Sequence, residues 1–364
     1  MMLMTGSTSS ARVLMVGPDR TLRGGIVTVV DGYFYGGLAD RCAALSYLGT
    51  GVGSNLLSKS LAFARVLPFY VRTLRDFDIV HLHISAKGSF TRKSMMAAMA
   101  KRAGKKVILH EHSGEFARDF ETGGDSYREK VRAVFNGVDR VVVLSEEWRD
   151  YFADNVMLDS EKIAVLHNGV PVPAKPCSPC SHKDVLFLGR LDSNKSPDVL
   201  LRASKDALAA FPGMRLVFGG NGDLERYKAF ACELGIADRC DFLGWVSGED
   251  KERLFDRSGI YCLPSKNEAM PMSLMEAMAH GIPVIATRVG GVPQLVENGI
   301  DGLLMGVDDV ATLSRLLMKL AGSSELRTEL GLAGRKKIER SFSINTAIDR
   351  LVGIYQNLYE EEHA

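Results

Sequence analysis

At 364 residues, with 46% hydrophobic and 24% charged residues, the chain is long for one core and ordinary in composition for a globular protein, so two domains are expected. A net charge of +1, about +4 up to Val170 and about −3 beyond it, excludes a generally polyanion-seeking protein but leaves room for a local basic face. Six scattered cysteines make no secreted disulfide pattern, which points to a reducing compartment.

The opening, MMLMTGSTSSARVLMVG, lacks a charged n-region followed by an apolar h-region, and no apolar run reaches bilayer-spanning length. A cytoplasmic protein is expected, with the option of touching the inner face of a membrane. Short β-branched runs predict strands over 12–16, 79–83, 106–110, 140–144 and 163–166. The prolines of PVPAKPCSPCSH block both helix and ladder, so 171–182 reads as a linker. Beyond it, strands are predicted over 184–188, 215–218, 240–243, 260–263, 283–286 and 302–305. Helical patterns cover 89–103, 196–209, 308–321 and a closing stretch over 341–361.

Strand and helix in alternation indicate an α/β chain of parallel sheets with helices on both faces. The expected organisation is a Rossmann-like N-terminal domain (1–170), the linker and a Rossmann-like C-terminal domain (183–340). A final helix (341–364) has the option of packing back on the first domain. Two doubly wound domains would face an interdomain cleft, with ligands beyond the carboxyl ends of the strands.

Function is therefore sought in the loops after strands. In RGGI, Gly24 and Gly25 let main chain approach a phosphate or sugar, or simply make a turn. Asp76-Phe77-Asp78 spells D-x-D but precedes its strand, which counts against a metal site there. His81 and His83 share one strand face, either lining a cleft or as satisfied strand histidines. Residues 87–106 carry seven cations and no acid around an apolar MMAAMA, fitting an anionic membrane surface or a solvated helix. With no aromatic interleaving, nucleic acid is not expected as a partner. Cys177, Cys180 and His182 have zinc-like spacing without an evident fourth ligand, so a plain linker is favoured.

In GRLDSNKS, Arg190 and Lys195 flank a strand-to-helix loop whose helix opens near Ser196 and Pro197, where dipole and cations together suit a diphosphate. FGGNGD, with Gly219, is a weaker glycine-rich candidate for close backbone approach to a ligand. NEAMPMSLMEAMAHGIPVIAT places Glu268 in a loop, Pro271 in the first turn of a helix running to about His280, Glu276 in the second turn, and Gly281 as a left-handed terminator. The amides around Met270–Ser273 point at whatever fills the loop. Two carboxylates bracketing a phosphate site suit a sugar nucleotide, which has hydroxyls at both ends of its diphosphate.

This stretch resembles the E-x7-E signature of retaining GT-B glycosyltransferases, specifically family 4. GRLDSNK, FLGWV and RVGGVPQLVENGIDG match that family in order and spacing, so the likeness covers essentially all of the C-terminal half. The N-terminal half matches more loosely through RGG, DIVHLH and LHEHSG. The resemblance implies that Arg190 and Lys195 hold the donor diphosphate and Glu276 the ribose. Glu268 would contact the transferred sugar with the amides of Ala269, Met270, Pro271 and Met272 around it, though Pro271 itself has no N–H to offer. Backbone near Val246 would receive the base, and His112 would stand on the N-terminal side, with His110 the poorer match.

Three departures are Ala269 and Ser196, where glycine is usual, and Gln294, where GGVP is commonly followed by Glu. The activity implied is metal-independent, retaining transfer from a UDP- or GDP-sugar to a saccharide or lipid-linked glycan acceptor, in cell-surface or exopolysaccharide biosynthesis. No cofactor and no metal are expected. The alternatives are a nucleotide-sugar epimerase or hydrolase on the same fold, or a non-catalytic nucleotide-binding partner subunit.

Overall fold

The computed structural model describes residues 8–22, 24–51, 56–85, 87–177 and 182–363. It divides into two compact units, residues 1–169 with 344–364, and residues 170–343. Each is built on one six-stranded, wholly parallel sheet flanked by helices.

The first sheet contains β1 (Ser9–Gly17), β2 (Cys42–Gly49), β3 (Ile79–Ile84), β4 (Lys106–Glu111), β5 (Arg140–Val143) and β6 (Ile163–Val165), in the order β2-β1-β3-β4-β5-β6. β3 is buried at every position and β4 at all but its first, the signature of central parallel strands covered on both faces. β2 is the strand that local pattern did not predict. It lies at the sheet edge, and no residue of CAALSYLG is fully buried, so its apolar signal is diluted. The closing helix, Ile344–His363, belongs to this unit and packs on β1. Gly32 and Gly36, near the end of the helix Gly25–Tyr35, make room for it. A Cβ there would come within 3.2 Å of Ile344 Cδ1 and 2.6 Å of Ile348 Cδ1, respectively.

The second sheet contains β7 (Val185–Leu188), β8 (Leu216–Gly219), β9 (Cys240–Gly244), β10 (Ile260–Leu263), β11 (Val284–Thr287) and β12 (Leu303–Met305). Its order, β12-β11-β10-β7-β8-β9, reverses direction between β7 and β10. That is the topological switch point, where the loops leaving two neighbouring strands part and open a crevice.

The helical stretch after β7 is broken into Pro197–Ala203 and Lys205–Ala210. At the break the buried Ser204 hydroxyl donates to the Leu200 carbonyl (2.7 Å), the back-bonding by which serine bends helices. The helix after β10 runs Met272–Ala279, and Pro271 stands one position ahead of it with ψ 111°, rather than in its first turn. Gly281 takes the left-handed conformation (φ 77°) that closes this helix.

Candidate functional site

Within the second unit, the loops after β7 and β10 meet at the switch point and are laced together. Asp192 Oδ1 accepts from the amides of Asn194 (3.1 Å) and Lys195 (3.0 Å). Lys266 N donates to the Asn194 carbonyl (2.7 Å). Lys195 Nζ donates to Glu268 Oε1 at 2.5 Å, and Ser265 Oγ donates to the same oxygen at 2.7 Å. The Glu268 side chain is only 8% exposed, so this ammonium supplies most of what makes a buried carboxylate tolerable. Arg190 differs, its side chain 75% exposed and held only loosely by Asp192 (3.5 Å), free to reach toward an anion.

Glu276 lies in the second turn of the helix Met272–Ala279 and accepts from Lys251 Nζ at 2.7 Å. Lys251 is a partner that sequence reasoning missed; its only signal was its place in the charged segment SGEDKER. The first intrahelical bond is Met275 N to the Pro271 carbonyl (3.2 Å), so the amides of Met272–Leu274 face out of the helix start. The Tyr261 hydroxyl, 2.7 Å from Ser273 Oγ and 3.2 Å from the Leu188 carbonyl, fixes this helix against the end of β7.

The glycine loops mostly serve main-chain packing. A Cβ on Gly290 or Gly291 would collide with the carbonyl of Glu268 (1.7 Å) or Ala269 (2.1 Å), so the VGGV turn lies directly behind the Glu268 loop. In FGGNGD, a Cβ on Gly220 or Gly222 would strike the carbonyl of Gly189 (1.8 Å) or Leu191 (2.3 Å). These two glycines bring backbone to the Arg190 loop, and Gly222 lines a pocket with Arg190 and Asp192. Gly219 adjoins Val246, whose Cγ2 would lie 2.7 Å from a Cβ there. Ser196 sits in the left-handed region (φ 49°, ψ 51°), the physical reason glycine is usual at that position.

In the first unit, Gly24 and Gly25 open the helix Gly25–Tyr35, and a Cβ on either would meet nothing within 4 Å. Across the carboxyl ends of β3 and β4 lies a cluster that single residues did not announce. His83 is in register with His110, and two-residue spacing puts His81 on the face of His83 and His112 on that of His110. His81 Nε2 is 3.2 Å from His110 Nδ1, and His83 Nδ1 is 2.8 Å from His112 Nε2. Tyr355, from the closing helix, places its hydroxyl 2.7 Å from His81 Nδ1. Burial holds the rings far below the usual histidine range, His81 and His112 at about 3. Among the described residues, His81, His83 and His110 are the one group whose ligand-type atoms all lie within 4.8 Å of one another. Most of those nitrogens are engaged with each other or with Tyr355, leaving Nε2 of His83 and of His110 without a partner.

Nearby, Lys93 is 2% exposed and donates to Thr50 Oγ1 (2.9 Å), and burial lowers its pKa to about 7. In the cationic stretch 87–106, Lys93 therefore points inward, Lys101 pairs with Asp139 (2.8 Å), and the side chain of Lys87 lies outside the described residues. Of the D-x-D, Asp78 has a structural contact: its Oδ2 accepts from Arg12 N (2.8 Å) within β1. Cys177 Sγ donates to Asp256 Oδ1 (3.2 Å), while Cys180 lies outside the described residues.

The family described as Glycosyltransferase Family 4 matches residues 27–172, and Glycosyl transferases group 1 matches residues 175–337. A D-inositol 3-phosphate glycosyltransferase of Saccharomonospora viridis is 36% identical over 47% of this chain and 42% of its own. Its Streptomyces avermitilis counterpart is 30% identical over 77% of this chain and 65% of its own. An exopolysaccharide phosphotransferase of Streptomyces coelicolor is 30% identical over 74% of this chain and 28% of its own. The chain thus spans less than two thirds of the length of these curated relatives. Among solved structures, Anabaena Alr3699/HepE in complex with UDP superimposes with a TM-score of 0.74 at 17% identity, covering 95% of this chain and all of that one. Sucrose-phosphate synthase from Thermosynechococcus elongatus gives 0.77 at 16%, covering 96% and 100%. The chain belongs to the family 4 glycosyltransferases and has their GT-B fold.

Proposed function

We propose that the protein is a retaining, metal-independent glycosyltransferase that moves a sugar from a UDP- or GDP-sugar to a saccharide or lipid-linked glycan acceptor in cell-surface polysaccharide assembly. The observation that carries this is the pair of carboxylates, Glu268 and Glu276, each held by a lysine on either side of an open helix start at the switch point. A nucleotide sugar fits that spacing: ribose hydroxyls on Glu276, diphosphate at the helix amides with Arg190 and Lys195, sugar hydroxyls on Glu268. The base is assigned to the backbone near Val246 beside Gly219. UDP or UDP-glucose is bound in several HepE structures, which supports the donor class.

Cleaving the glycosyl–phosphate bond puts negative charge on the leaving diphosphate and positive charge on the sugar ring. Lys195, held on Glu268, and the helix dipole are fixed groups beside the first, and the exposed Arg190 can swing onto it, together taking the role a metal ion plays elsewhere. The acceptor hydroxyl attacks from the face the diphosphate leaves, and its proton passes to the departing phosphate oxygen, so no enzymic base is consumed. Glu268 positions the sugar and is not assigned as nucleophile. Gly24, Gly25 and His112 are assigned to the donor and acceptor from the first unit.

For a lipid-linked acceptor, the membrane-facing element is assigned to the helix Leu56–Thr73 rather than to 87–106. Residues 56–75 carry no acid, and the helix exposes Leu61 (54%), Phe69 (60%) and Val71 (51%) among Arg65 and Arg72, with Arg75 just beyond it. Apolar side chains interleaved with cations fit an anionic bilayer.

Screening UDP- and GDP-sugars for protection against thermal unfolding tests the donor, since a ligand at about 100 times its Kd stabilises by roughly 2.7 kcal/mol. A protecting nucleotide sugar that yields glycosylated product with a saccharide acceptor supports transfer. Release of free sugar or an epimer as the only product overturns it in favour of hydrolysis or epimerisation.

A further inference from the structure

We infer that His83 is a positioning residue that holds His112 as the neutral tautomer protonated on Nδ1, so that His112 offers the site a hydrogen-bond donor and not a base. This rests on the assignment of His112 to the site proposed above.

The four rings form two nearly coplanar hydrogen-bonded pairs, His81 with His110 (16° between planes) and His83 with His112 (28°). The pairs stack on one another, His81 on His83 at 4.5 Å and His110 on His112 at 4.1 Å. Three rings are fully buried and His112 is partly exposed. A single proton lies between His83 Nδ1 and His112 Nε2, and two arrangements are possible. If His112 Nε2 donates, His83 must carry its own proton on Nε2, which is buried without a partner, leaving an N–H sealed in the core. If His83 Nδ1 donates, the orphaned atom is a bare lone pair, and an unmet buried acceptor is the less rare of the two.

The second arrangement leaves His112 Nε2 as acceptor and places its proton on Nδ1, the nitrogen with no partner among the described residues. The stack then limits how far that ring can turn. Such an N–H can donate to a hydroxyl or phosphate oxygen and cannot remove the acceptor proton, consistent with a reaction in which the leaving phosphate takes it. Burial keeps the rings uncharged at neutral pH, so the fixed dipole is that of a neutral imidazole.

The test is nitrogen NMR of protein labelled with 15N-histidine, His112 being assigned by the signal lost in His112→Asn. Wild type is expected to show His112 protonated on Nδ1 and bare on Nε2. His83→Asn, whose amide nitrogen can take the donor's place, keeps that pattern and stays within a few-fold of wild-type kcat. His83→Leu mixes the tautomers and lowers kcat roughly ten- to a hundredfold, with a smaller change in donor KM. A wild-type His112 protonated on Nε2, or charged at neutral pH, overturns the inference, as does a His83→Leu protein with unchanged tautomer and kcat. The spectrum needs no turnover, so absent transfer activity would count against the function without touching the tautomer, and the wild-type spectrum decides even if His83→Leu fails to fold.

Discussion

The two units solve the same problem, presenting polar chemistry beyond the carboxyl ends of a parallel sheet, with opposite electrostatics. In the second, charges are paired: Lys195 with Glu268 and Lys251 with Glu276. In the first, the polar groups are kept neutral by burial, with four imidazoles bonded to each other. Paired charges meet a charged ligand by exchanging partners, whereas a neutral, stacked cluster holds a fixed dipole and resists rearrangement. The paired charges of the second unit suit a diphosphate sugar, and the neutral cluster of the first suits orientation of an uncharged hydroxyl.

The sharpest break of this contrast is to remove one partner of the Lys195 pair. Lys195→Ala should lower kcat/KM about 10²- to 10³-fold, weaken donor binding by calorimetry, and destabilise the second unit by leaving Glu268 buried and unpaired. Lys195→Met combined with Glu268→Gln should recover the melting temperature but not activity. Unchanged donor affinity in Lys195→Ala would remove this loop from the phosphate site.

Acid should distinguish the units next. Burial depresses all four folded histidines, so below pH 6.5 the unfolded chain takes up protons that the folded cluster refuses, His81 and His112 until about pH 3. Their stabilising contribution is therefore full above 6.5 and is lost as pH falls through that window, each at up to about 1.4 kcal/mol per pH unit. The two tryptophans report separately, Trp148 in the first unit and Trp245 in the second. In a Trp245→Phe background, urea unfolding followed by Trp148 should weaken steeply from pH 6.5 to 4.5. The slope should ease by about one proton in His81→Phe.

A smaller effect tests the cationic face of the first unit. Phe69→Asp should weaken binding to phosphatidylglycerol vesicles by tenfold or more (roughly 1.5–3 kcal/mol for one buried aromatic side chain) while leaving transfer to a soluble acceptor intact. Equal binding to neutral phosphatidylcholine vesicles would contradict a charge-selected surface. The smallest concerns Ser196: Ser196→Gly relieves a left-handed residue and should raise stability by about 0.5 kcal/mol, visible as a slight rise in Tm.

The second unit was the more legible. Glu268, Pro271, Glu276 and Gly281 lie within fourteen consecutive residues and obey local rules for starting and ending a helix, so their places around that helix were legible from spacing, to within one position for Pro271. The roles of the two acids toward a donor came from the family resemblance. Arg190 and Lys195 were found the same way, by a strand followed by cations and Pro197. Lys251 was missed because nothing local ties it to Glu276, 25 residues away. The histidines were seen only in part. HLH and HEH each announce a shared face, but that the faces coincide depends on β3 pairing with β4 in the register His83 to His110. In FGGNGD the sequence shows that something approaches closely, but only the fold shows that the Arg190 loop is one thing that does.

Sequence by itself determined the alternation of strand and helix, the division near the proline-rich stretch, and the loops in which charge or glycine follows a strand. These depend on hydrophobic period and turn chemistry over a few residues. Tertiary structure decided that β10 lies against β7, bringing Lys195 to Glu268 across 73 residues, and that the histidines of β3 and β4 stack with Tyr355 closing over them. Strand order and register are chosen by which buried faces pack best together. That competition is settled over the whole sheet, and no local stretch of sequence carries it.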